Sequence, residues 1–476
     1  MTSTGAAPQR AAENRQAPAS VRAVVGLLVL FELTSGFLQT GVVPLLPELG
    51  EHHGVGDSEL NWVTSVQLLS GAVLVPVFGR LGDLYGYRRM LRVSLACLAV
   101  GSLLVALAPN YPALLLGRVL QGTLVALLPL EIALVRDRLP ADTARSAIAR
   151  LVGALTLGSL LGAVVMGALA KSVGDIRITL LVPAVLAALC VPVSFLFIPE
   201  SVPKRGGRPD WPGAVLLGLA LVCLLAGVSR LEEDGGLSAS VLLPVAAAVA
   251  VGAVWARHEL RSADPLVDLR AMRGRELAPF YLTSFLFGVM YFGSQTPNAT
   301  FLAADPDTDG YGFALPALNI ALVSLPATLA ALVTSSATAV IARRLGYRRT
   351  LMAAFSLMTA GFASLACFHS SVWQIVAALL VSGTGVGAAL GAMPTVIVEA
   401  SDPARGGVAT ALYNNVKTVG GAVTGGAVAA LLSAFTTGSS GSPDESGYVL
   451  VWALCAVAGV AAVAGVALSR RNEHGD

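Results

Sequence analysis

Gly79-Arg80-Leu81-Gly82-Asp83-Leu84-Tyr85-Gly86-Tyr87-Arg88-Arg89-Met90-Leu91 is the stretch on which the fold turns. Its last part returns further on as Gly346-Tyr347-Arg348-Arg349-Thr350-Leu351, with Thr350 in place of Met90. Each copy is a short polar turn between apolar runs of about twenty residues, the length a helix needs to cross a hydrocarbon core roughly 30 Å thick. A charged turn repeated between such runs points to a duplicated set of membrane helices.

The rest of the chain supports that reading. Its 476 residues are 55% hydrophobic and only 13% charged, whereas a soluble domain carries roughly 25% charged residues. Apolar runs are expected to span near 23–46, 60–79, 91–108, 113–135, 148–170, 178–198, 212–229, 239–256, 279–303, 317–341, 350–368, 374–398, 408–435 and 448–468. Lipid leaves no partner for free backbone groups, so these runs must be helices. The expectation is an all-α polytopic membrane protein with fourteen spans and both ends on one side.

Positively charged loops stay in the cytoplasm, which tests the count. With the N-terminus inside, the 31 Lys and Arg residues fall in cytoplasmic tails and loops, except Lys171, Arg177 and Arg230 outside and Arg118 and Lys417 within spans. A helix miscounted in mid-chain would invert every later loop and destroy this asymmetry. The two copies of the Gly-Tyr-Arg-Arg turn each follow the second helix of a six-helix unit. The expected division is a cytoplasmic tail at 1–22, a six-helix bundle at 23–200 and a linker with two extra spans at 201–275. A second six-helix bundle at 276–469 and a tail at 470–476 complete it. Parallel repeats of this kind place a substrate site near the membrane midplane, between the halves.

Other chemistry finds little support. The net charge is +2 and the basic residues are scattered, so no nucleic-acid partner is expected. Cys97, Cys190, Cys223, Cys367 and Cys455 lie in apolar runs without CxxC pairs, which predicts buried free thiols and no metal. His52, His53, His258, His369 and His474 are in loops or at span ends, leaving carboxylates to carry any proton. No phosphate-cradling G-x-x-x-x-G-K-[ST] loop occurs, and no nucleophile, base and orienting group come together, so neither an enzyme nor a cofactor is expected.

Residues 79–89 match the G-x-L-x-D-x-x-G-x-R/K-R/K turn between the second and third helices of the major facilitator superfamily. Arg118-Val119-Leu120-Gln121-Gly122 matches the fourth-helix R-x-x-Q-G pattern, with Pro129 following, and Leu412-Tyr413-Asn414-Asn415 leads to Gly420-Gly421 in helix thirteen. Over essentially its whole length the chain resembles the fourteen-helix drug:proton antiporters of that superfamily. Two departures stand out. Helix five keeps Gly153, Gly158, Gly162 and Gly167 as a small-residue face but lacks the antiporter proline, and helix one reads Glu32-Leu33-Thr34 where relatives carry D-x-T.

The resemblance makes Gly79, Asp83, Gly86, Arg88 and Arg89 a conformational gate. In it Asp83 binds a helix end of the opposite bundle region and an arginine of its own loop, locking an outward-facing state. A plain cytoplasmic loop would explain the arginines but not an aspartate in register between glycines. In the second copy the Asp83 position is Arg343, so the gate is asymmetric. Proton coupling is assigned to Glu32, Arg118 and Glu131. Glu32 lies roughly 13 Å into helix one at 1.5 Å per residue, and intramembrane acids are functional candidates. Arg118 has two readings, a partner in proton coupling by resemblance or a structural tie from helix four to a backbone carbonyl. Glu131 trails Arg118 by roughly 140° on an ideal helix and is read either as a second proton site or, slightly favoured, as a partner of Arg136 or Arg138. Gln121, Gln295, Asn298, Asn414, Asn415 and Lys417 are expected to line the substrate cavity, with interhelical bonding as the alternative; Lys417 is also read as a second proton carrier or as a side chain reaching to an interface.

The expected function is proton-coupled export of small amphipathic or cationic drugs and antibiotics, by alternating access and as a monomer. Partners are the small-molecule cargo, protons and the lipid bilayer. Two alternatives are a lipid or natural-product exporter of the same fold and a non-transporting membrane receptor or scaffold. Arginine far exceeds lysine, and alanine, glycine and valine abound, as in GC-rich bacterial genomes; the expected location is a bacterial cytoplasmic membrane.

Overall fold

The computed structural model describes residues 18–139, 141–197, 209–234, 238–262, 265–267, 269–272, 278–399, 406–436 and 442–468. They form helices, with no strand among the described residues. The N-terminal part runs through α1 (Pro18–Gly41), a 3-10 turn (Val43–Leu45), α2 (Leu46–His53), α3 (Asp57–Tyr85), α4 (Tyr87–Leu107), α5 (Tyr111–Gln121), α6 (Leu124–Arg138), α7 (Ala141–Val173) and α8 (Ile176–Phe197). Then come α9 (Trp211–Asp234), α10 (Ala239–Arg261) and a single turn, α11 (Leu269–Met272). The C-terminal part contains α12 (Ala278–Gly293), α13 (Gln295–Ala303), α14 (Ala317–Leu345), α15 (Tyr347–Cys367), α16 (Val372–Glu399), α17 (Gly406–Ala434) and α18 (Glu445–Leu468).

Both copies of the repeated turn have the same shape. Gly86 joins α3 to α4 at φ +97°, and Gly346 joins α14 to α15 at φ +81°. Side-chain-bearing residues rarely adopt that region, so glycine is needed at both places. Arg348 then donates to the carbonyls of Val466 (3.1 Å) and Ala467 at the end of α18. Arg92 does likewise for Ser194 (3.3 Å) and Phe195 at the end of α8, its guanidinium 4.1 Å over the Phe195 ring. In each half an arginine of the third helix thus caps the last carbonyls of the sixth, where a cation also meets the negative end of the helix dipole.

The outer surface is apolar. Leu243 and Val249 on α10 are 72% and 68% exposed, and Leu196 at the end of α8 is 73% exposed. Apolar surface on this scale is stable only where the solvent is lipid. Twelve helical segments of the described residues are long and apolar enough to cross a membrane. The two other spans expected from the sequence, 212–229 and 279–303, fall on α9, whose qualifying apolar stretch is the shorter Trp211–Leu224, and on α12–α13, broken at Ser294. The break has a local cause: Pro297 has no backbone donor, and the Ser294 hydroxyl turns back to the Met290 carbonyl at 2.9 Å. The expected tails are described only from residue 18 and up to residue 468.

Buried apolar side chains gather into two main cores. One draws on the N-terminal helices with Ala317, the other on the C-terminal helices with Val267. In α9, Leu217 and Leu221 pack against Ala72 of α3 with Val419 and Trp255 of α10 beside them, and Trp255 also packs against the C-terminal core. Polar contacts pin the base of the α9–α10 pair: His258 Nε2 lies 2.8 Å from Asp210, and the Val267 amide donates to Glu259 at 3.2 Å.

Glycines set two matching helix crossings. A Cβ on Gly36 or Gly158 would run into the backbone of Leu155 or Leu33, where α1 crosses α7. In the other half a Cβ on Gly288 or Gly420 would strike the backbone of Lys417 or Phe285, where α12 crosses α17. The expected four-glycine face on helix five is thereby corrected. Gly158 and Gly162 meet α1, Gly167 meets Ala317 and Leu318 of α14, and Gly153 has nothing within 4 Å. This helix, α7, is shared between two neighbours, which a one-dimensional glycine pattern does not reveal. The expectation of buried thiols is also corrected at Cys367, exposed at the end of α15, and at Cys97 and Cys223, which are half-buried.

Candidate functional site

Glu32 and Glu131 meet at the heart of the N-terminal half. Both are 0% exposed, and the carboxyl groups, from α1 and α6, face each other within hydrogen-bond reach. No donor among the described residues reaches any of their four oxygens. Two bare carboxylates would be mutually repulsive there, whereas one proton between them closes an O–H···O bond. Thr34 completes the neighbourhood, donating to the Leu30 carbonyl at 2.9 Å and lying 3.6 Å from the Cys190 thiol. The favoured sequence reading of Glu131, an ion pair with Arg136 or Arg138, is corrected: its side chain turns inward to α1, whereas Arg136 is exposed.

Arg118 points elsewhere, as the helical spacing requires. Its Nε donates to the Val63 carbonyl of α3 at 2.7 Å, and a terminal nitrogen donates to Gln121 Oε1 at 2.7 Å. Gln121 Nε2 in turn donates to the Ser102 hydroxyl of α4 at 3.0 Å. This geometry matches the reading of Arg118 as a tie to a backbone carbonyl. It corrects Gln121 from cavity lining to the middle of a buried chain. Arg118→Gln is expected to lower the stability of the detergent-solubilised protein by about 1–3 kcal/mol for each buried group left unpartnered. Arg118→Lys, without the planar fork, is expected to recover only part of the loss. Thermal unfolding followed by intrinsic fluorescence measures both, and unchanged unfolding in Arg118→Gln would count against the tie.

At the arginine-rich end, Asp83 accepts a hydrogen bond from the Tyr87 hydroxyl, one turn along in the next helix. Among the described residues, a tyrosine of the same turn rather than a helix end of the opposite bundle is the partner of Asp83 in this conformation. A Cβ on Gly79 would meet nothing within 4 Å, Gly86 is buried in its positive-φ turn, Arg88 is half-buried and Arg89 is exposed. Toward the other end, side chains join the two halves. There the Tyr448 hydroxyl of α18 donates to Asp57 of α3 at 2.5 Å, Thr64 lies 3.3 Å from Thr296, and a Cβ on Gly425 would overlap the Ser65 hydroxyl. Tyr311, in the loop behind, donates to the Pro443 carbonyl at 2.7 Å. Burial pushes its hydroxyl above the ordinary tyrosine range, so it remains a neutral donor.

This clasp was not singled out from the sequence, because Asp57 precedes the apolar run and Tyr448 begins one. Tyr448→Phe is expected to remove a charge-assisted bond worth about 1.5–3 kcal/mol, shifting the closed-to-open ratio roughly ten- to a hundredfold. The readout is alkylation of Thr64→Cys in a Cys367→Ser background, since Cys367 is itself exposed. An unchanged labelling rate would show that Asp57 and Tyr448 do not hold this end shut.

The expected cavity residues separate into groups. Asn298 accepts from Trp452 Nε1 at 2.8 Å, and Gln295 is half-buried. Asn414 and Lys417 share a half-buried face of α17 and bond to each other at 3.0 Å, whereas Asn415 lies on the opposite, buried side. Asn415 is therefore corrected from the cavity face to the helix-packing face.

Known proteins agree with this architecture. The sequence profile of the Major Facilitator Superfamily matches residues 28–425. The multidrug efflux pump LfrA of Mycolicibacterium smegmatis is 27% identical over 399 residues, covering 82% of this chain and 76% of that protein. The tetracenomycin C resistance and export protein of Streptomyces glaucescens is 26% identical over 392 residues, covering 80% and 70%. Among solved structures, the nucleoside transporter NupG superposes with a TM-score of 0.63 at 15% identity, covering 95% of this chain and 100% of its own. The xylose transporter XylE from E. coli superposes at 0.62 with 13% identity, covering 96% and 100%. With the profile matched across most of its length and the helical architecture shared, this chain belongs to the Major Facilitator Superfamily and is a membrane transporter, not an enzyme.

Proposed function

We propose that the protein exports small amphipathic or cationic drugs and antibiotics in exchange for protons, by alternating access between its two halves. The observation that carries the proposal is the Glu32–Glu131 pair: two fully buried carboxyls facing each other with no other donor among the described residues. Such a pair takes up and gives back a proton more readily than it tolerates a second negative charge, and a secondary transporter couples by holding proton and cargo at different times. Similarity to the multidrug efflux pump LfrA and to the tetracenomycin C resistance and export protein supports drug and antibiotic cargo.

In this reading the chain has fourteen spans divided six, two and six, with both ends in the cytoplasm of a bacterium. Each monomer supplies both bundles. The Asp57–Tyr448 clasp closes the outer mouth. The turn holding Gly79, Asp83, Gly86, Arg88 and Arg89 closes the inner one when Asp83 exchanges Tyr87 for a partner across the halves. Arg118 holds α3 in place beside the carboxyl pair.

Flux into proteoliposomes with an acidic lumen tests the proposal, using ethidium, a permanent cation that acid trapping does not concentrate, and rhodamine B as an amphipathic probe. Uptake that appears with the gradient and vanishes when it is collapsed is the expected result. Equal uptake with and without the gradient would rule out proton exchange, and no uptake of either probe would rule out this cargo class.

A further inference from the structure

Lys417 is a further ionisable side chain inside the bundle, and the proton-exchange reading above gives it no role. It lies about 17 Å along α17 from Gly406 at 1.5 Å per residue, too deep for a side chain that escapes to an interface. Its Nζ donates to Asn414 Oδ1 at 3.0 Å and stands 5.5 Å over the Tyr413 ring. Both contacts favour a cation, but neither carries a negative charge, and no carboxylate pairs with Lys417 among the described residues. The side chain is enclosed deep in the protein and yet half-buried rather than sealed, so it borders open space inside the bundle. An ammonium has three donors, and among the described residues Lys417 makes one bond.

The matching helix crossing shows that packing does not ask for a lysine. At the α1–α7 crossing Gly36 abuts the backbone of Leu155; at the α12–α17 crossing Gly288 abuts the backbone of Lys417 in the same way. One half makes this crossing with leucine. The other carries a cation with no charged partner among the described residues, deep in the bundle, where an anion entering the adjoining space would be favoured.

We propose that Lys417 is an anion-reading subsite of the transport path and that the preferred cargo is an amphipathic molecule bearing a carboxylate. This rests on the exporter reading above and narrows it. The Asn414–Lys417 bond positions the ammonium, and the cargo carboxylate takes its remaining donors in a charge-assisted hydrogen bond.

The test is equilibrium binding to the purified full-length protein in lipid nanodiscs, followed by fluorescence anisotropy, with rhodamine B and its ethyl ester as a pair differing at the carboxylate. The wild type is expected to bind the acid more tightly than the ester. In Lys417→Gln that acid-to-ester affinity ratio falls about tenfold or more, and in Lys417→Arg it is largely kept. Lys417→Leu, which copies the residue at the matching crossing, provides a second variant whose packing has a precedent in the same chain. A ratio equal in wild type and Lys417→Leu, a wild type that prefers the ester, or a wild type that does not bind rhodamine B would each overturn the inference. Binding needs no gradient, so its failure beside intact proton-driven flux removes only the carboxylate preference. Absent flux with the ratio effect intact removes only the exchange mechanism.

Discussion

Glu32→Gln is expected to collapse the steady-state accumulation of ethidium in acid-loaded proteoliposomes from about a hundredfold to about unity. The size follows from energy balance. If one proton leaves for each cation that enters, the exchange is electroneutral, and each pH unit supports a tenfold concentration ratio. A gradient of about two units therefore sustains roughly a hundredfold. The amide nearly preserves the shape of Glu32 and still reaches Glu131, but it neither takes nor releases a proton at accessible pH. Without a group that distinguishes the loaded and unloaded states, the gradient has nothing to act on. Glu131→Gln is the companion variant. If the pair works as a unit, either amide alone collapses the ratio and the double variant is no worse. Gradient-driven accumulation that survives in Glu32→Gln would remove Glu32 from the coupling step.

Gly158→Leu is expected to be the most damaging substitution for the fold. A Cβ at this position would collide with the Leu33 carbonyl of α1, and a backbone atom gives way only if the whole helix moves. Overpacking a core usually costs about 1–3 kcal/mol, and a leucine driven against backbone belongs at or above the top of that range. Glu32 is the neighbour of Leu33, so the displacement would also part the carboxyl pair. Gly153→Ala is the control on the same helix: nothing lies within 4 Å of its Cβ, and alanine in place of a helical glycine gains up to about 1 kcal/mol. Monodisperse yield on size exclusion and the thermal midpoint should fall sharply for the first and hold or rise for the second. Equal yields would mean that the α1–α7 crossing tolerates separation.

The sequence by itself determined the class of fold, because the constraint is local. A run of some twenty apolar residues has to be a helix in lipid, and the Gly-Tyr-Arg-Arg turns at 86 and 346 needed only their own residues to take the same positive-φ form. On an ideal helix it also set Arg118 and Glu131 on diverging faces, since angular spacing is a local property, although a bend at Pro129 could have changed this. What it did not reach were the partners. The pairing of Glu131 with Glu32 joins positions far apart in the chain. The assignment of Gly167 to α14 rather than α1 and the clasp between Asp57 and Tyr448 do the same. The face on which Asn415 lies depends on which helices surround α17. Lipid offers every apolar face nearly the same environment, so hydropathy leaves helix neighbours undetermined. Close packing at glycines and the few polar groups that must find one another settle them, and only the tertiary structure shows which ones meet.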